Sequence, residues 1–257
     1  MDDPNKLIRQ QFGANADKYA TSAAHAKGES LGRLVELTQP QANWQVLDVS
    51  TGAGHTALTF APRVARVIAS DVTPQMLAAA RKLAQERGIV NVEFRDADAH
   101  ALPFDDESFD LVTNRIALHH YTDARKAISE MARVCKRGGI VALDDNIVPP
   151  DKPTAGAINH FEKLRDPSHN WAYPLVRLEA MFSDAGLQVE HTETFKKEME
   201  FEPWADRMRV SVEMKAQLRA MLLGDLIASA RDFLTPRVDG DTLYFSLTEA
   251  ILIGRKP

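Results

Sequence analysis

The chain has 257 residues, of which 44% are hydrophobic and 26% are charged. This is ordinary globular composition, and a chain of this length buries a large core without disulfides, so disordered, collagenous and coiled-coil classes are excluded. The net charge is −5, and no block of the sequence is strongly basic. We therefore expect no nucleic-acid partner, because binding by phosphate neutralisation needs a basic surplus.

Cysteine usage and the lengths of apolar runs indicate the compartment. Cys135 is the single cysteine in the sequence, so neither an intrachain disulfide nor a cysteine-based metal site can form. No apolar run is long enough to span a membrane. Residues 1–6 are polar and acidic, unlike the start of a secretory signal. We expect a soluble, cytoplasmic protein without stable membrane insertion.

The first half of the chain predicts helices followed by a parallel sheet. Residues 1–40 form a predicted helical cap that ends at Pro40. After it, short apolar runs alternate with amphipathic segments, which is typical of right-handed βαβ units. The predicted strands are 45–49, 64–70, 92–95, 109–113 and 139–143, and the predicted helices are 55–61, 74–87 and 123–135, the last ending at Gly138 and Gly139.

The second half is less regular and completes the same sheet. Its predicted helices are 154–164 and 175–184, its predicted strands are 187–195 and 243–253, and a helical insertion at 200–237 precedes the last strand. The strands are apolar on consecutive positions, as expected when helices cover both faces. The sequence thus predicts one α/β domain with a doubly wound, mostly parallel, seven-stranded sheet.

The most informative segment runs from Val46 to Ala57. A predicted strand leads there into a turn containing Gly52 and Gly54, and a helix follows. Glycines lack a Cβ and let a ligand approach the backbone, and this spacing also fits a dinucleotide-binding fingerprint. Taken alone the match is weak, because two glycines also shape an ordinary strand-to-helix turn.

Carboxylates at the predicted strand ends narrow the class of ligand. Asp71 ends the second strand, at the distance where a carboxylate accepts hydrogen bonds from both hydroxyls of a ribose. Asp98 follows the third strand and is placed to accept from an adenine amino group, while the Ala99 amide donates to the ring. Asp48 lies in the first strand and would repel a pyrophosphate. Adenosine with a cationic tail, as in S-adenosylmethionine (SAM), fits these residues better.

At this point the sequence resembles the class I SAM-dependent methyltransferases, and within them the quinone-biosynthesis-like group. The blocks that carry the resemblance are 47–54, 70–77, 96–104, 108–115 and 130–139, in the family's order and spacing. Residues 163–169 look like an uncharacterised bacterial subgroup, which extends the resemblance over nearly the whole chain. Ser50 replaces the usual first glycine of the loop. A serine can adopt an extended conformation there, so we expect cofactor binding to survive.

The resemblance implies a Rossmann-like fold in which residues 41–145 bind SAM and residues 146–257 form the substrate side. It also implies a role for individual residues. Asp48, Thr51, Gly52 and Gly54 would frame the methionine part, Asp71 would hold the ribose, and Val72, Met76, Asp98 and Ala99 would contact the adenine. Asn114, through its backbone carbonyl, and Arg115 would lie beneath the methionine.

Methyl transfer from a sulfonium requires alignment, desolvation and, for a hydroxyl or amine acceptor, a base. The pairs His119–His120 and Asp144–Asp145 follow the fourth and fifth predicted strands, where open α/β sheets bind ligands. From these pairs we select His119 and Asp144 as catalytic candidates, together with His169 of the later segment. Each has an alternative role in packing, helix capping or a turn. We expect no metal site, because the two-histidine zinc motif is absent.

The helical insertion has two interpretations. Its apolar face, which includes Trp204, Met214 and Leu222, either belongs to the core or covers an acceptor pocket. We expect a small, hydrophobic or aromatic methyl acceptor, and a homodimer through an apolar insertion face is conceivable. Two alternatives stay open: a SAM-binding protein without methyl transfer, and an NAD-dependent oxidoreductase. Asp48 and the absence of the reductases' Tyr–Lys pair argue against the latter.

Overall fold

A central sheet organises the computed structural model, which describes residues 5–16 and 29–257. The strand order is β3-β2-β1-β4-β5-β8-β6, with β7 paired to β8. The strands are β1 (Gln45–Val49), β2 (Arg66–Asp71), β3 (Val92–Asp96), β4 (Phe109–Arg115), β5 (Cys135–Ile147), β6 (Gln188–Glu200), β7 (Arg237–Asp239) and β8 (Thr242–Arg255). The helices are α1 (Lys6–Gly13), α2 (Glu29–Thr38), α3 (His55–Phe60), α4 (Pro74–Glu86), α5 (Ala124–Val134), α6 (Lys152–Arg165), α7 (Leu175–Asp184), α8 (Phe201–Arg207), α9 (Val212–Ala220) and α10 (Ala228–Leu234).

The doubly wound, Rossmann-like α/β fold is confirmed, but the strand number differs from the prediction. The sheet has eight strands where the sequence predicts seven. The additional strand is β7, which lies at the end of the predicted helical insertion and forms a hairpin with the start of β8 around Gly240. Its three residues are all exposed. A strand so short and polar has no apolar pattern, so sequence periodicity cannot reveal it.

The helix that precedes β5 also ends earlier than predicted. Helix α5 stops at Val134, and Cys135 is the first residue of β5. Gly138 adopts a φ of 75° and accompanies a register shift between β4 and β5. A Cβ on Gly139 would lie 2.9 Å from the carbonyl oxygen of Asp110, so these glycines permit close approach of strand backbones. They shape a strand irregularity and do not cap the helix.

Parallel pairing of β1 with β2 and β4 brings the carboxyl ends of these strands to one edge of the sheet. Asp48 of β1 lies opposite Ala69 of β2 and Thr113 of β4. Beyond β5 the sheet turns antiparallel, and Glu249 of β8 lies opposite Asn146 of β5. Side chains from both halves of the chain therefore reach the same end of the sheet.

The apolar face of the helical insertion is core. Trp204 of α8 stacks on Phe161 of α6 with ring centroids 5.2 Å apart, and it meets Phe245 of β8 edge-on at 4.9 Å. Leu218 and Leu222 are completely buried in the same cluster. These contacts join the insertion to the sheet through α6. Within the described residues, no helix has the length and apolarity needed to cross a membrane.

One glycine of the nucleotide-like loop is used for helix packing. Gly54 precedes α3 with a φ of 85°, and a Cβ at this position would lie 2.9 Å from the Cβ of Ala80 in α4. We therefore expect Gly54→Ala to lower the free energy of unfolding by about 1–3 kcal/mol, since it adds left-handed strain and overlap. The measurement is urea denaturation followed by circular dichroism.

Gly156 in α6 is the matched control for this substitution, because a Cβ there meets nothing within 4 Å. Gly156→Ala replaces a helical glycine and should raise stability by about 0.5–1 kcal/mol. Equal effects of the two substitutions would contradict the packing role of Gly54.

Candidate active site

A single continuous cavity of about 1410 Å³, with the open solvent at its mouth included, lies over the carboxyl ends of the central strands. It extends from the loop after β1 to α6 and α8. The predicted site residues that line it are Asp48, Thr51, Gly52, Asp71, Val72, Met76, Asp98, Ala99, Arg115, His119 and His169. Gly54, Asn114 and Asp144 are absent from the residues that form its wall.

The loop after β1 has an unusual backbone at Ser50. Its φ is 54°, a left-handed conformation that favours glycine, so the expectation of an extended serine is wrong. The Ser50 hydroxyl lies 2.6 Å from the hydroxyl of Tyr121, which accepts a 2.8 Å hydrogen bond from Asn114 Nδ2. This contact compensates the strain and joins the loop to the segment after β4. Gly52, with a φ of 53°, has open space where a Cβ would be.

Asp48 is the buried anchor of the loop. Its carboxylate accepts hydrogen bonds from Thr51 Oγ1 at 2.6 Å, from Thr113 Oγ1 at 2.7 Å and from the Ala57 amide at 3.1 Å. Burial raises its pKa to about 6, although these donors and the charge of Arg115 oppose the increase. One carboxylate thus connects β1, the glycine loop, α3 and β4.

Asp71, at the end of β2, and Asp98, after β3, also line the cavity. Asp71 accepts from the amides of Gly52 at 2.9 Å and Thr73 at 2.8 Å, and its burial raises its pKa. Asp98 accepts from Asn5 Nδ2 at 2.8 Å, so α1 closes over this end. Burial acts to raise the pKa of Asp98, but its hydrogen bonds outweigh burial and the pKa lies below its ordinary value.

Asn114 contributes to the site indirectly, through hydrogen bonds of its buried side chain. It is fully buried, and its Nδ2 donates to the Val49 carbonyl at 2.9 Å as well as to Tyr121. The side chain therefore braces β1 against β4. Gly54 likewise packs against α4. Both residues thus lie beside the loop after β1 and pack inside the protein, away from the wall of the cavity.

His119 forms a buried pair with Asp145. Its Nδ1 lies 2.5 Å from Asp145 Oδ1, and its amide donates to Asp145 Oδ2 at 3.1 Å. Burial acts to lower the pKa of His119, but the Asp145 carboxylate outweighs burial and raises the pKa above 6.5. The hydrogen bond at Nδ1 leaves Nε2 as the nitrogen that can accept a proton.

Asp144 lies on the opposite face of the sheet from this pair. Asp144 is opposite Ile251 and Asp145 is opposite Ala250, and these two partners belong to cores on different faces. Burial and the neighbouring Glu249 raise the pKa of Asp144 to about 7. The structure therefore places the partner of His119 one residue beyond the predicted candidate.

His120 and His169 complete a cluster of imidazoles beside His119. Their ring centroids lie 4.1 Å and 5.4 Å from that of His119. Burial lowers the pKa of His120 to about 4 and that of His169 to about 2. His169 Nε2 lies 2.8 Å from Asn159 Oδ1. Both rings are thus neutral at neutral pH. Residues 5–16 and 29–257 contain no group of three or more candidate ligands able to hold a metal ion.

Sequence reasoning missed several residues of the cavity. Tyr121, Asn5, Glu162 and Glu249 all line it but come from four separate parts of the chain. Tyr121 follows the histidine pair directly, so its place after β4 was a usable signal. Glu162 and Glu249 carried none, because a lone glutamate in a predicted helix or strand is ordinarily a solvated residue.

The chain is similar to known proteins over most of its length. Residues 47–143 match the family model for a methyltransferase domain. The chain is 36% identical over 247 residues to the uncharacterized methyltransferase YcgJ of Bacillus subtilis, covering 95% of this chain and 97% of the relative. The crystal structure of YcgJ superimposes with a TM-score of 0.84 at 35% identity, covering 88% of this chain and 97% of that one.

The chain belongs to the class I SAM-dependent methyltransferases of the quinone-biosynthesis-like type. A demethylmenaquinone methyltransferase of Thermus thermophilus is 40% identical over 129 residues, which is 49% of this chain and 57% of the relative. The similarity of this methyltransferase to YcgJ thus spans both halves of the fold, whereas the similarity to the Thermus enzyme covers about half of each chain.

The contact between Ser50 and Tyr121 generates a prediction. Tyr121→Phe removes the partner of the Ser50 hydroxyl and one acceptor for Asn114, so it should lower the free energy of unfolding by about 1–3 kcal/mol. In a Ser50→Gly protein, Tyr121→Phe should lower the free energy of unfolding by at least about 0.5 kcal/mol less than it does in the parent. The reason is that the contact between the two hydroxyls is already absent. Urea denaturation of the four proteins measures this coupling, and strictly additive effects would contradict it.

Proposed function

We propose that this methyltransferase transfers the methyl group of SAM to a small-molecule acceptor, and that His119 is the base. The observation that carries the proposal is the single cavity that joins the carboxylates after β1, β2 and β3 to the His119–Asp145 pair. Cofactor and acceptor need to meet in one desolvated space for an in-line displacement. When bound, SAM supplies a methyl group on a sulfonium, which is an excellent leaving group.

The cofactor end of the cavity fits SAM. Each oxygen of Asp71 accepts one backbone hydrogen bond and has a second lone pair for a ribose hydroxyl. Val72 and Met76 line the cavity next to it, as the adenine position requires, with Asp98 and Ala99 beyond. Their arrangement supports an adenine-binding role for all four.

The methionine end is formed by the loop after β1 and by β4. Thr51, Gly52 and Arg115 line the cavity there, and Arg115 Nε donates to Thr56 Oγ1 at 3.1 Å. The buried Asp48 lies beneath the loop and supplies negative charge near the position of a cationic sulfonium. Asn114 and Gly54 support this end through packing.

The acceptor occupies the other end of the cavity in this proposal. His119 Nδ1 donates to Asp145, so Nε2 takes a proton from a hydroxyl or amine as the methyl group is transferred. Trp204, Met199 and Leu247 line the wall near it and would contact the hydrophobic or aromatic body of an acceptor. Asp145 acts by orienting the ring and stabilising its protonated form.

Cofactor binding is tested at Asp71. Asp71→Asn keeps the shape of the side chain but removes its charge, so affinity for S-adenosylhomocysteine should fall about 10- to 100-fold through weaker bonds to the ribose. Isothermal titration measures this affinity, and the melting temperature shows whether the variant is folded. Asp232→Asn, an exposed substitution outside the cavity, is the control. Unchanged affinity in a folded Asp71→Asn protein would refute the ribose role.

The base is tested by titration of the histidines. NMR should show that His119 titrates above its ordinary value of 6.5 and that Asp145→Asn lowers its pKa, because the neighbouring negative charge is removed. Since only the neutral ring accepts a proton, methylation should rise with pH through the pKa of His119. A pKa of His119 that Asp145→Asn leaves unchanged would contradict the pairing.

Methyl transfer itself distinguishes this enzyme from a protein that only binds SAM. Formation of S-adenosylhomocysteine should be followed over a panel of phenols, quinols and amines. His119→Gln should reduce turnover of an accepted compound about 100- to 10,000-fold, as loss of a general base does. His160→Gln, an exposed histidine outside the cavity wall, should leave turnover unchanged.

A further inference from the structure

The cavity contains two buried carboxylates that the proposed reaction does not use. Glu162 of α6 is 8% exposed and Glu249 of β8 is 2% exposed, and both line the cavity. They come from the half of the chain outside the segment that matches the methyltransferase domain. An exposed pair of glutamates would need no explanation, but buried carboxylates are costly unless they are paired.

Each of these carboxylates has one oxygen without a hydrogen-bond donor in the described chain. These atoms are Glu162 Oε1 and Glu249 Oε2. The other oxygen of Glu249 accepts from Lys197 Nζ at 2.7 Å, so Glu249 is half satisfied. Glu162 has no side-chain hydrogen bond of this kind among the described residues. An unsatisfied buried oxygen on a charged group costs about 1–3 kcal/mol or more.

Arg165, which lies about one turn beyond Glu162 on α6, is already engaged elsewhere. Arg165 Nε donates to the Trp204 carbonyl at 3.1 Å, and the guanidinium lies over the Trp204 ring at 4.7 Å. It lowers the pKa of Glu162 through its charge, but burial is the larger effect and raises that pKa. Glu162 therefore keeps one buried oxygen in the wall of the cavity without a hydrogen-bond donor from the described residues.

Glu162 also interacts electrostatically with His119, the proposed base. Its negative charge helps to raise the pKa of His119, and the charge of His119 in turn opposes the increase in the pKa of Glu162. The ring of His169 lies 5.4 Å from that of His119 between centroids, its Nε2 lies 2.8 Å from Asn159 Oδ1, and Glu162 lies one turn beyond Asn159 on α6. A ligand whose reacting atom meets His119 thus has other atoms within reach of Glu162.

Building on the proposed function, we infer that the methyl acceptor bears a second hydrogen-bond donor, a hydroxyl or a protonated amine, and that Glu162 binds it. The reacting atom lies at His119 while the second donor satisfies the buried carboxylate, and the apolar body contacts Trp204 and Met199. Glu162 is then a specificity-determining residue. Acceptors with a single donor leave its carboxylate unpaired and bind more weakly.

The experiment compares three probes with the same phenyl body. 2-Phenylethanol has one donor, 1-phenyl-1,2-ethanediol has two neutral donors, and 2-amino-2-phenylethanol replaces one hydroxyl by an ammonium group. Affinities are measured by titration into the protein saturated with S-adenosylhomocysteine. We expect at least one of the two-donor probes to bind about tenfold or more tightly than 2-phenylethanol, as a hydrogen bond to a charged group predicts. Which of the two binds more tightly identifies the donor as neutral or cationic.

The substitution Glu162→Gln should reduce this preference at least threefold, because an amide oxygen accepts more weakly than a carboxylate. The matched control is Glu86→Gln, an exposed glutamate at the end of α4 and outside the cavity wall, which should retain the full preference. Melting temperatures establish that each variant is folded. If Glu162→Gln does not fold, Glu162→Asp, which withdraws the carboxylate by one methylene, tests the same contact and should likewise reduce the preference.

Equal affinity for all three probes, no binding of any of them, or a preference that survives in folded Glu162→Gln would overturn this inference. None of these outcomes affects the proposed function as long as S-adenosylhomocysteine binds and His119 titrates as expected. Failure of the protein to bind S-adenosylhomocysteine would instead refute the proposed function. The two failures are therefore distinguishable in one set of titrations.

Discussion

The cofactor end of the structure depends on the buried Asp48 carboxylate. Three donors from the glycine loop, α3 and β4 converge on it, so one side chain determines how the first strand, the loop and the helix meet. A carboxylate in such a place is costly to bury, and burial raises its pKa to about 6. Its presence makes chemical sense if the ligand is cationic, because a negative group beneath the loop would repel a phosphate and attract a sulfonium.

The two ends of the cavity come from different parts of the chain. The end proposed for the cofactor is formed mainly by residues 47–143, which match the methyltransferase domain, at the carboxyl ends of parallel strands, and Asn5 covers Asp98 from outside this segment. The acceptor end is built by α6, α8, β6 and β8, where the sheet has turned antiparallel. His119 and Asp145 lie at the junction.

The tertiary contacts modify several local expectations. The left-handed backbone of Ser50 would be disfavoured in isolation, but the Tyr121 hydroxyl compensates it from a different segment. Asp145 replaces Asp144 beside His119 because neighbouring strand residues point to opposite faces, and an apolar run cannot show which face holds the histidine. The eighth strand, β7, exists because β8 extends past the end of β5 and offers a free edge.

The sequence by itself determined the doubly wound α/β fold and the family, and it predicted the loop residues of the cofactor site. It could do so because these features depend on local periodicity, glycine positions and short blocks of contiguous residues. Only the tertiary structure decided that His119 pairs with Asp145, that Gly54 packs against α4, that the Asn114 side chain joins β1 to Tyr121, and that Glu162 and Glu249 line the same cavity. These relations join residues far apart in the chain, and their physical cause is burial in a shared cavity, which no local pattern records.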